Sequence, residues 1–395
     1  LGDYAFYGIG ALSRVIFLGN APATIGTEVF NFASSGATVI IKPTATGFGD
    51  TGDSWNLLTV TKVGGGYNCL TEGSTTGAGT FTVTDFIVTT NSGCAGRADI
   101  PDGVISIAED AFKNSSVVSV SIPSSVTSIG EDAFSGSESL AAVTFAGSPA
   151  LESIGASAFS DTNLLSFTMP ASVSAIAANA FASSSLLSSI TFMGNAPSQV
   201  GAGAFSGTAE GATAYVTETA TGFGADGSTW NGILVKKVGG TYTCLNDGAT
   251  TGSGTFTVTR FVVTGHSDCT GRLEIPLGVI SVANDVIQNS AVTSVVVPAS
   301  VTLLGSYSFY GALSLSHVTF YGNAPSGSDL FGSVAQNAKA IVLNTATGFG
   351  NTGDLYGGLT VIRVGGTYEC LDDGATTGSG SFTVTRFVVT GSTNC

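Results

Sequence analysis

The sequence predicts a mainly β repeat protein: a right-handed solenoid of 22–25-residue coils with a parallel sheet, interrupted by disulfide-bonded β-hairpin cassettes. Three observations predict it. The dipeptide Ala-Phe, or a close variant, recurs at nearly constant steps. A second, longer element occurs three times with no change in its internal spacing. The six cysteines fall as one pair in each copy of that element.

The Ala-Phe series comprises Ala5-Phe6, Ala111-Phe112, Ala133-Phe134, Ala158-Phe159, Ala180-Phe181 and Ala204-Phe205, with weaker copies at Val29-Phe30, Val286-Ile287, Ser308-Phe309 and Leu330-Phe331. Within a block the steps are 22 to 25 residues, the period of one leucine-rich-repeat coil. The stretch Ile122 to Phe145 gives the unit its grammar. Pro123 opens a turn, Val126 and Ile129 point inward, and Ala133 and Phe134 fill the next core layer. Leu140, Val143 and Phe145 then space apolar residues as a short half-buried strand requires. Ile154, Phe159, Leu164, Phe167 and Met169 repeat the pattern, and so do Val173, Ile176, Phe181, Leu187, Ile190 and Phe192. One such coil cannot bury its apolar side alone, but stacked coils bury a continuous core.

The segments IPDGVISIAEDAF (100–112) and IPSSVTSIGEDAF (122–134), the latter followed by SLAAVTF, resemble BspA-type leucine-rich repeats of bacterial and some protist surface proteins. The likeness covers roughly half the chain and joins the period to the Ile-Pro, Ile-Gly and Ala-Phe positions. It implies a secreted or surface-anchored protein, often an adhesin, and does not imply catalysis. The family's unit often carries a Cys shortly after Ala-Phe. Here that place is taken by Gly136, Thr162 or Ser184, so these coils are expected to rest on packing alone.

The cassette begins with Thr-Ala-Thr-Gly-Phe-Gly at Thr44, Thr219 and Thr345. From its Phe (Phe48, Phe223, Phe349) to the next aromatic (Trp55, Trp230, Tyr356) is 7 residues each time, and these six rings are expected to pack within the cassette. From that Phe to the first Cys (Cys69, Cys244, Cys370) is 21, and from first to second Cys (Cys94, Cys269, Cys395) is 25. By contrast, Cys94 to Phe223 spans 129 residues and Cys269 to Phe349 spans 80, a difference of 49, or about two coils. The cassette therefore reads as a rigid joint and the blocks as variable in whole coils. The expected segments are a partial coil block at 1–43, cassettes at 44–98, 219–273 and 345–395, and coil blocks at 99–218 and 274–344.

Six cysteines allow fifteen pairings, but identical spacing in a repeated unit selects the local ones: Cys69–Cys94, Cys244–Cys269 and Cys370–Cys395. Free thiols are the bland alternative. Zinc wants closely spaced cysteines and usually histidine, and finds neither. Each bridge is worth roughly 3 kcal/mol, and oxidised cysteines imply export. Within the cassette, TFTVTRFVV (255–263) reads as one strand, and the Gly-rich loop before it as the turn of a β-hairpin.

Composition narrows the function. Charged residues are 10% of the chain, and the formal net charge is −15 from 27 acids against 12 bases. Nucleic acid needs clustered Lys and Arg, so none is expected as a partner. No apolar run reaches the length of a membrane span. Both termini fall inside repeat units, which reads as a piece of a longer protein.

No catalytic, cofactor or metal residue is expected. His266 precedes Cys269 by three, but the matching positions are Asn91 and Ser392, so no shared role needs imidazole; His317 reads as a surface residue. The acidic loop residues Asp247, Asp372 and Asp373 lack the ligand string of a calcium loop and read as solvated turns. The Gly-Asn-Ala-Pro turns lack the Lys-Ser/Thr of a phosphate loop. The Thr-x-Thr strands occur once per cassette, too seldom for a flat array. Asn114-Ser115-Ser116 is the one glycosylation-type triplet. The expected function is a non-enzymatic extracellular structural protein, a segment of a stalk, sheath or filament that self-associates or continues into further repeats. The alternative is an adhesin binding host protein, glycan or another cell. A glycan-active enzyme, which would need paired carboxylates in a cleft, is the least supported.

Overall fold

The computed structural model describes residues 1–73, 75–248, 250–369, 381–385 and 387–393. Among them there are strands, turns and bends and no helix. The chain divides into two compact units, one of Leu1–Ala214 with Thr221–Val235 and one of Tyr215–Ala220 with Lys236–Cys395.

In the first unit the chain winds so that equivalent residues of successive coils stack. Arg14–Phe17, Thr38–Ile41 and Leu58–Lys62 pair in parallel, residue for residue. Ser116–Ile122 pairs in the same way with Ala142–Phe145, and Ser166–Met169 with Ser189–Phe192. A second ladder of two-residue strands runs Ser106-Ile107, Ser128-Ile129, Ser153-Ile154, Ala175-Ile176 and Gln199-Val200. Each pair puts one apolar side chain inward, as period two demands. Between the ladders the Ala-Phe positions build a column. Phe112, Phe134, Phe159, Phe181 and Phe205 lie ring on ring at 5.1, 5.1, 5.2 and 5.6 Å. Their planes stay within 13° of parallel because each coil repeats the backbone of the one before.

The coils do not rest on packing alone, contrary to the expectation from the missing Cys. The third residue after the core Phe is a buried hydroxyl. Ser137 Oγ donates to the Phe112 carbonyl at 2.6 Å and accepts from the Ser115 amide at 3.2 Å. Ser184 Oγ donates to the Phe159 carbonyl at 2.7 Å and accepts from the Thr162 amide at 3.3 Å. These hydroxyls add partners from the next coil to backbone groups of the turn; the Phe112 carbonyl also accepts from the Ser115 amide at 3.2 Å and the Phe159 carbonyl from the Thr162 hydroxyl at 3.1 Å.

The segment 44–98 separates into two parts. Its first half is another coil: Leu58–Lys62 continues the parallel ladder, and Phe48 and Trp55 enter the same core cluster as Val29, Phe30 and Val39. Only the second half leaves the coil path. There Gly65–Asn68, Ala78–Thr84 and Ile87–Asp99 form an antiparallel three-stranded hairpin sheet.

The second unit repeats this hairpin with Gly240–Thr243, Ser253–Thr259 and Val262–Glu274. The parallel ladder follows through Ala291–Val297, His317–Phe320, Lys339–Leu343 and Leu359–Val364. A third hairpin uses Gly366–Glu369, Ser381–Thr385 and Val388–Thr393.

The stretch 255–263 is not one strand. A two-residue turn at Arg260-Phe261 breaks it, with φ of 47° and 64°; Asp85-Phe86 does the same with 52° and 66°. Two successive left-handed residues are the mark of the turn that matches strand twist in a tight hairpin. Its usual Asn-Gly signal is absent. The cost of a left-handed Phe is offset by burial, since Phe86 and Phe261 are completely enclosed.

Candidate functional site

The hairpins are built around their cysteines. Cys69 and Cys94 are bonded, as are Cys244 and Cys269, each pair with Cα atoms 5.6 Å apart and 25 residues apart in sequence. Cys370 and Cys395 lie outside the described residues, as do Asp372 and Asp373. Beside the first bridge the Cys69 amide donates to the Gly79 carbonyl at 3.1 Å, and Leu70 and Arg97 exchange backbone bonds at 2.8 and 2.7 Å. Gly96, at φ +83°, is required here, because a Cβ would run into the Leu70 carbonyl oxygen.

The long strands of the first two hairpins have two working edges. One edge pairs with its own hairpin. The other accepts the coils that follow: Ile87–Asp99 takes Ser106-Ile107 and Ser116–Ile122 in parallel, and Val262–Glu274 takes Ser281-Val282 and Ala291–Val297. Asp247 adds a side-chain tie. Its carboxylate accepts from the Thr293 hydroxyl at 2.7 Å, across 46 residues of sequence. That bond holds the Asp247 carboxyl below its ordinary value, with smaller help from Ser294, His317 and Arg272. Asp247 is thus engaged with the coil rather than being a bare solvated turn.

The six aromatic positions recur as one arrangement. Phe48 and Trp55 have centroids 4.8 Å apart, Phe223 and Trp230 4.8 Å, and Phe349 and Tyr356 4.7 Å. A third ring, Phe17, Phe192 or Phe320, packs against each pair. Tyr356 donates its phenol to the Pro325 carbonyl at 2.6 Å, and burial pushes that phenol up. These rings fill coil core and expose no reactive group.

Chemistry is sparse elsewhere. No group of three or more His, Cys, Asp or Glu able to hold a metal ion occurs among the described residues. At the Asn91 position, which donates to the Ala111 carbonyl at 2.8 Å, His266 leaves Nδ1 buried and unpartnered. His317 Nδ1 lies 3.1 Å from the Ser316 hydroxyl. A shallow cleft of about 530 Å³ opens beside Phe205, with Glu210 as its only acidic side chain, so it holds no carboxylate pair.

One feature was not singled out in the sequence. Tyr4, Tyr7 and Phe32 stand at 55, 44 and 68% exposure, and Tyr307 and Tyr310 at 42 and 37%. Tyr4 and Tyr307 precede a core Phe by two; Tyr7 and Tyr310 follow it by one. Both pairs are edge-to-face, at 5.5 Å and 79° in the first and 5.7 Å and 78° in the second. The available signal was the shared string Tyr-x-Phe-Tyr-Gly at 4–8 and 307–311. Other coils carry Asp110, Asp132, Ser157 or Asn179 where the first Tyr stands.

Comparison with known proteins follows the same architecture. A family model described as "BspA type Leucine rich repeat region" matches in six copies, over residues 100–226 and 266–350, more than half of the chain. No curated protein matches the chain. Among solved structures, a leucine-rich repeat protein from Bacteroides capillosus is 33% identical over 25% of this chain and 82% of its own, with a TM-score of 0.22. The leucine-rich repeat protein of T. pallidum is 20% identical over 65% of this chain and 78% of its own, TM-score 0.28. A leucine-rich cell surface protein from Faecalibacterium prausnitzii is 18% identical over 71% and 89%, TM-score 0.23.

Proposed function

Because the chain belongs to the BspA-type leucine-rich-repeat family, we propose that it is a segment of a long extracellular stalk, sheath or filament, with the hairpins as stapled joints between coil blocks. The observation that carries this reading is the double-edged strand. Ile87–Asp99 and Val262–Glu274 close a hairpin on one side and seat the next coils on the other. A joint of this kind lets coils be added or lost in whole units without disturbing the stack. The bridges at Cys69–Cys94 and Cys244–Cys269 suit an oxidising location outside the cytosol, which is where such an array would stand. No helix of the described residues is long and apolar enough to cross a membrane.

Electron microscopy of the native material tests the proposal. Continuous rods or filaments are expected. Isolated, monodisperse short rods would overturn it. A second reading, adhesion, draws on a different observation, the exposed ring pairs on the coil turns, which packing does not require.

A further inference from the structure

The turns that carry the Ala-Phe positions form a ledge along each unit, and one stretch of it displays its own ligand chemistry. Lys113 extends its ammonium between two carboxylates on neighbouring coils, at 2.8 Å from Asp110 and 2.7 Å from Asp132. Those acids occupy the position two before the core Phe, and Lys113 the position one after it. In the second unit the same ledge is rebuilt with the cation left out. The Asp285 amide donates to the Ser306 carbonyl at 3.0 Å and the Ile287 amide to Ser308 at 2.8 Å, which sets Asp285 beside Tyr307 on the next coil. Ser306 and Ser328 hydroxyls meet at 3.0 Å and the Phe309 amide donates to Leu330 at 3.2 Å, which sets Asp329 on the other side of Tyr307. All three are exposed, and among the described residues neither Asp285 nor Asp329 has an ion-pair partner.

The rings are held in place at a cost. Tyr307 has φ 57° and Tyr4 φ 56°, a conformation that suits Asn, Asp or Gly and is unfavourable for a bulky side chain. Other coils place Asp, Asn, Ser, Gly or Glu there. The tyrosines therefore spend both backbone strain and apolar exposure without gaining core. Tyr310 lies against Gly332 of the following coil, where a Cβ would strike its ring, so the neighbour is cut back to leave the ring room. The first unit has a related ledge with one acid and a third ring. Tyr4 donates its amide to Thr27 at 3.0 Å, which sets Glu28 beside it, and Tyr7 meets Phe32 edge-to-face at 5.3 Å and 81°.

We propose that these two acid-flanked tyrosine ledges bind Lys or Arg side chains of a basic polypeptide. An aromatic face attracts an ammonium or guanidinium, and a carboxylate one coil away, about 5 Å along the sheet, supplies the counter-charge. The formal net charge of −15 steers such a partner in. The ledges are a few rings apiece, too small for the apolar core of a protein–protein interface of standard size. That favours an extended basic segment over a folded domain. The proposal names the partner of the adhesive reading and rests on it; the structural array does not depend on it.

The test uses the full chain with poly-L-lysine as probe and dextran as a neutral glycan, by titration calorimetry at low and high salt. In one variant Tyr4→Asn, Tyr7→Ser, Tyr307→Asn and Tyr310→Ser install residues that other coils carry at these places, so the fold is kept. In a second, Glu28→Gln, Asp285→Asn and Asp329→Asn remove the flanking charges. A control removes three exposed acids elsewhere, Glu138→Gln, Glu152→Gln and Glu210→Gln. Poly-L-lysine should bind the ring variant and the ledge-charge variant about 10-fold more weakly than the control, and salt should weaken the wild type most. If the ledge variants lose no more than the control, binding is diffuse charge attraction and both the proposal and the adhesive use of the rings fail. Salt-independent binding of dextran that the ring variant abolishes would keep the adhesive reading and overturn the basic partner.

Discussion

The coil block of residues 100–214 and the hairpin of residues 65–99 meet the same requirement, a buried core in a thin structure, by opposite means. In the block, identical rings repeat in one column from Phe112 to Phe205. Every layer looks like its neighbours, so a layer can be inserted or removed. In the hairpin the core is particular. Phe81 stacks on Tyr67 at 5.4 Å and reaches Phe112 at 5.8 Å, and the Tyr67 hydroxyl accepts from the Gly64 amide at 3.2 Å. Phe86 plugs the turn, and a disulfide closes the open end. Nothing there can be duplicated without breaking a specific fit. The contrast explains why block length differs by about two coils while the spacings of 7, 21 and 25 never change.

The largest expected effect lies in the column. Phe159→Ala opens a cavity between two stacked rings, Phe134 and Phe181. It should cost about 3–5 kcal/mol, measured by denaturant unfolding of the first unit. If coils were independent layers, the loss would stay local. Because each ring packs on both neighbours, hydrogen exchange should instead rise in the coils on either side. A loss confined to one coil would break the comparison.

Next comes the staple. Replacing both Cys69 and Cys94 with Ser should remove roughly 3 kcal/mol. The exchange of amides in Ala78–Thr84 should rise while the column from Phe134 onward keeps its protection. Equal loosening of both regions would mean that the hairpin is simply part of the coil stack. The same experiment on Cys244 and Cys269 should give the same pattern in the second unit.

How far these regions were legible in the sequence follows from what each depends on. The coils depend on periodicity, and period is visible: the positions read as inward, such as Ile129, Phe134, Leu140 and Phe159, are fully buried or nearly so. The local pairing of Cys69 with Cys94 and of Cys244 with Cys269 was legible because a repeated spacing is itself a distance restraint. The division of segment 44–98 was not, because Phe48 and Trp55 travel with the cysteines in sequence but pack with the coils. The turn at Asp85-Phe86 was hidden because its conformation is imposed by burying Phe86, and the pattern of local residues carries no turn signal. The ledges escaped for a different reason. Tyr4 and Tyr307 look like ordinary apolar residues until stacking shows that their positions face solvent.

A smaller effect separates hydroxyl from ring. Ser184→Ala takes from the Thr162 amide its partner and from the Phe159 carbonyl one of two donors, the Thr162 hydroxyl remaining at 3.1 Å, at about 1–3 kcal/mol. Its cost should be clearly below that of Phe159→Ala in the same denaturation experiment. Equal costs would mean that the buried hydroxyls, more than the rings, hold the coils in register.

The smallest effect distinguishes the two described hairpin loops from each other. The Thr293 hydroxyl holds the Asp247 carboxyl below its ordinary value of 3.8. At the matching place in the first hairpin stands Glu72, which faces Arg97 at 3.6 Å and has Val118 in place of Thr293. A lowered carboxyl contributes stability that is fully present above its ordinary value and is lost as pH falls through the lower folded one. Acid should therefore loosen the Asp247 loop from Thr293 within that window below 3.8. Asp247→Asn should lower the unfolding midpoint of the second unit at neutral pH, and the gap from wild type should close as pH descends through the window. Thr293→Val should reproduce it, because the two groups share one bond. A gap that stays constant with pH would show that Asp247 contributes through its shape and not through its charge. The hairpins would then differ only in the coil strand they seat.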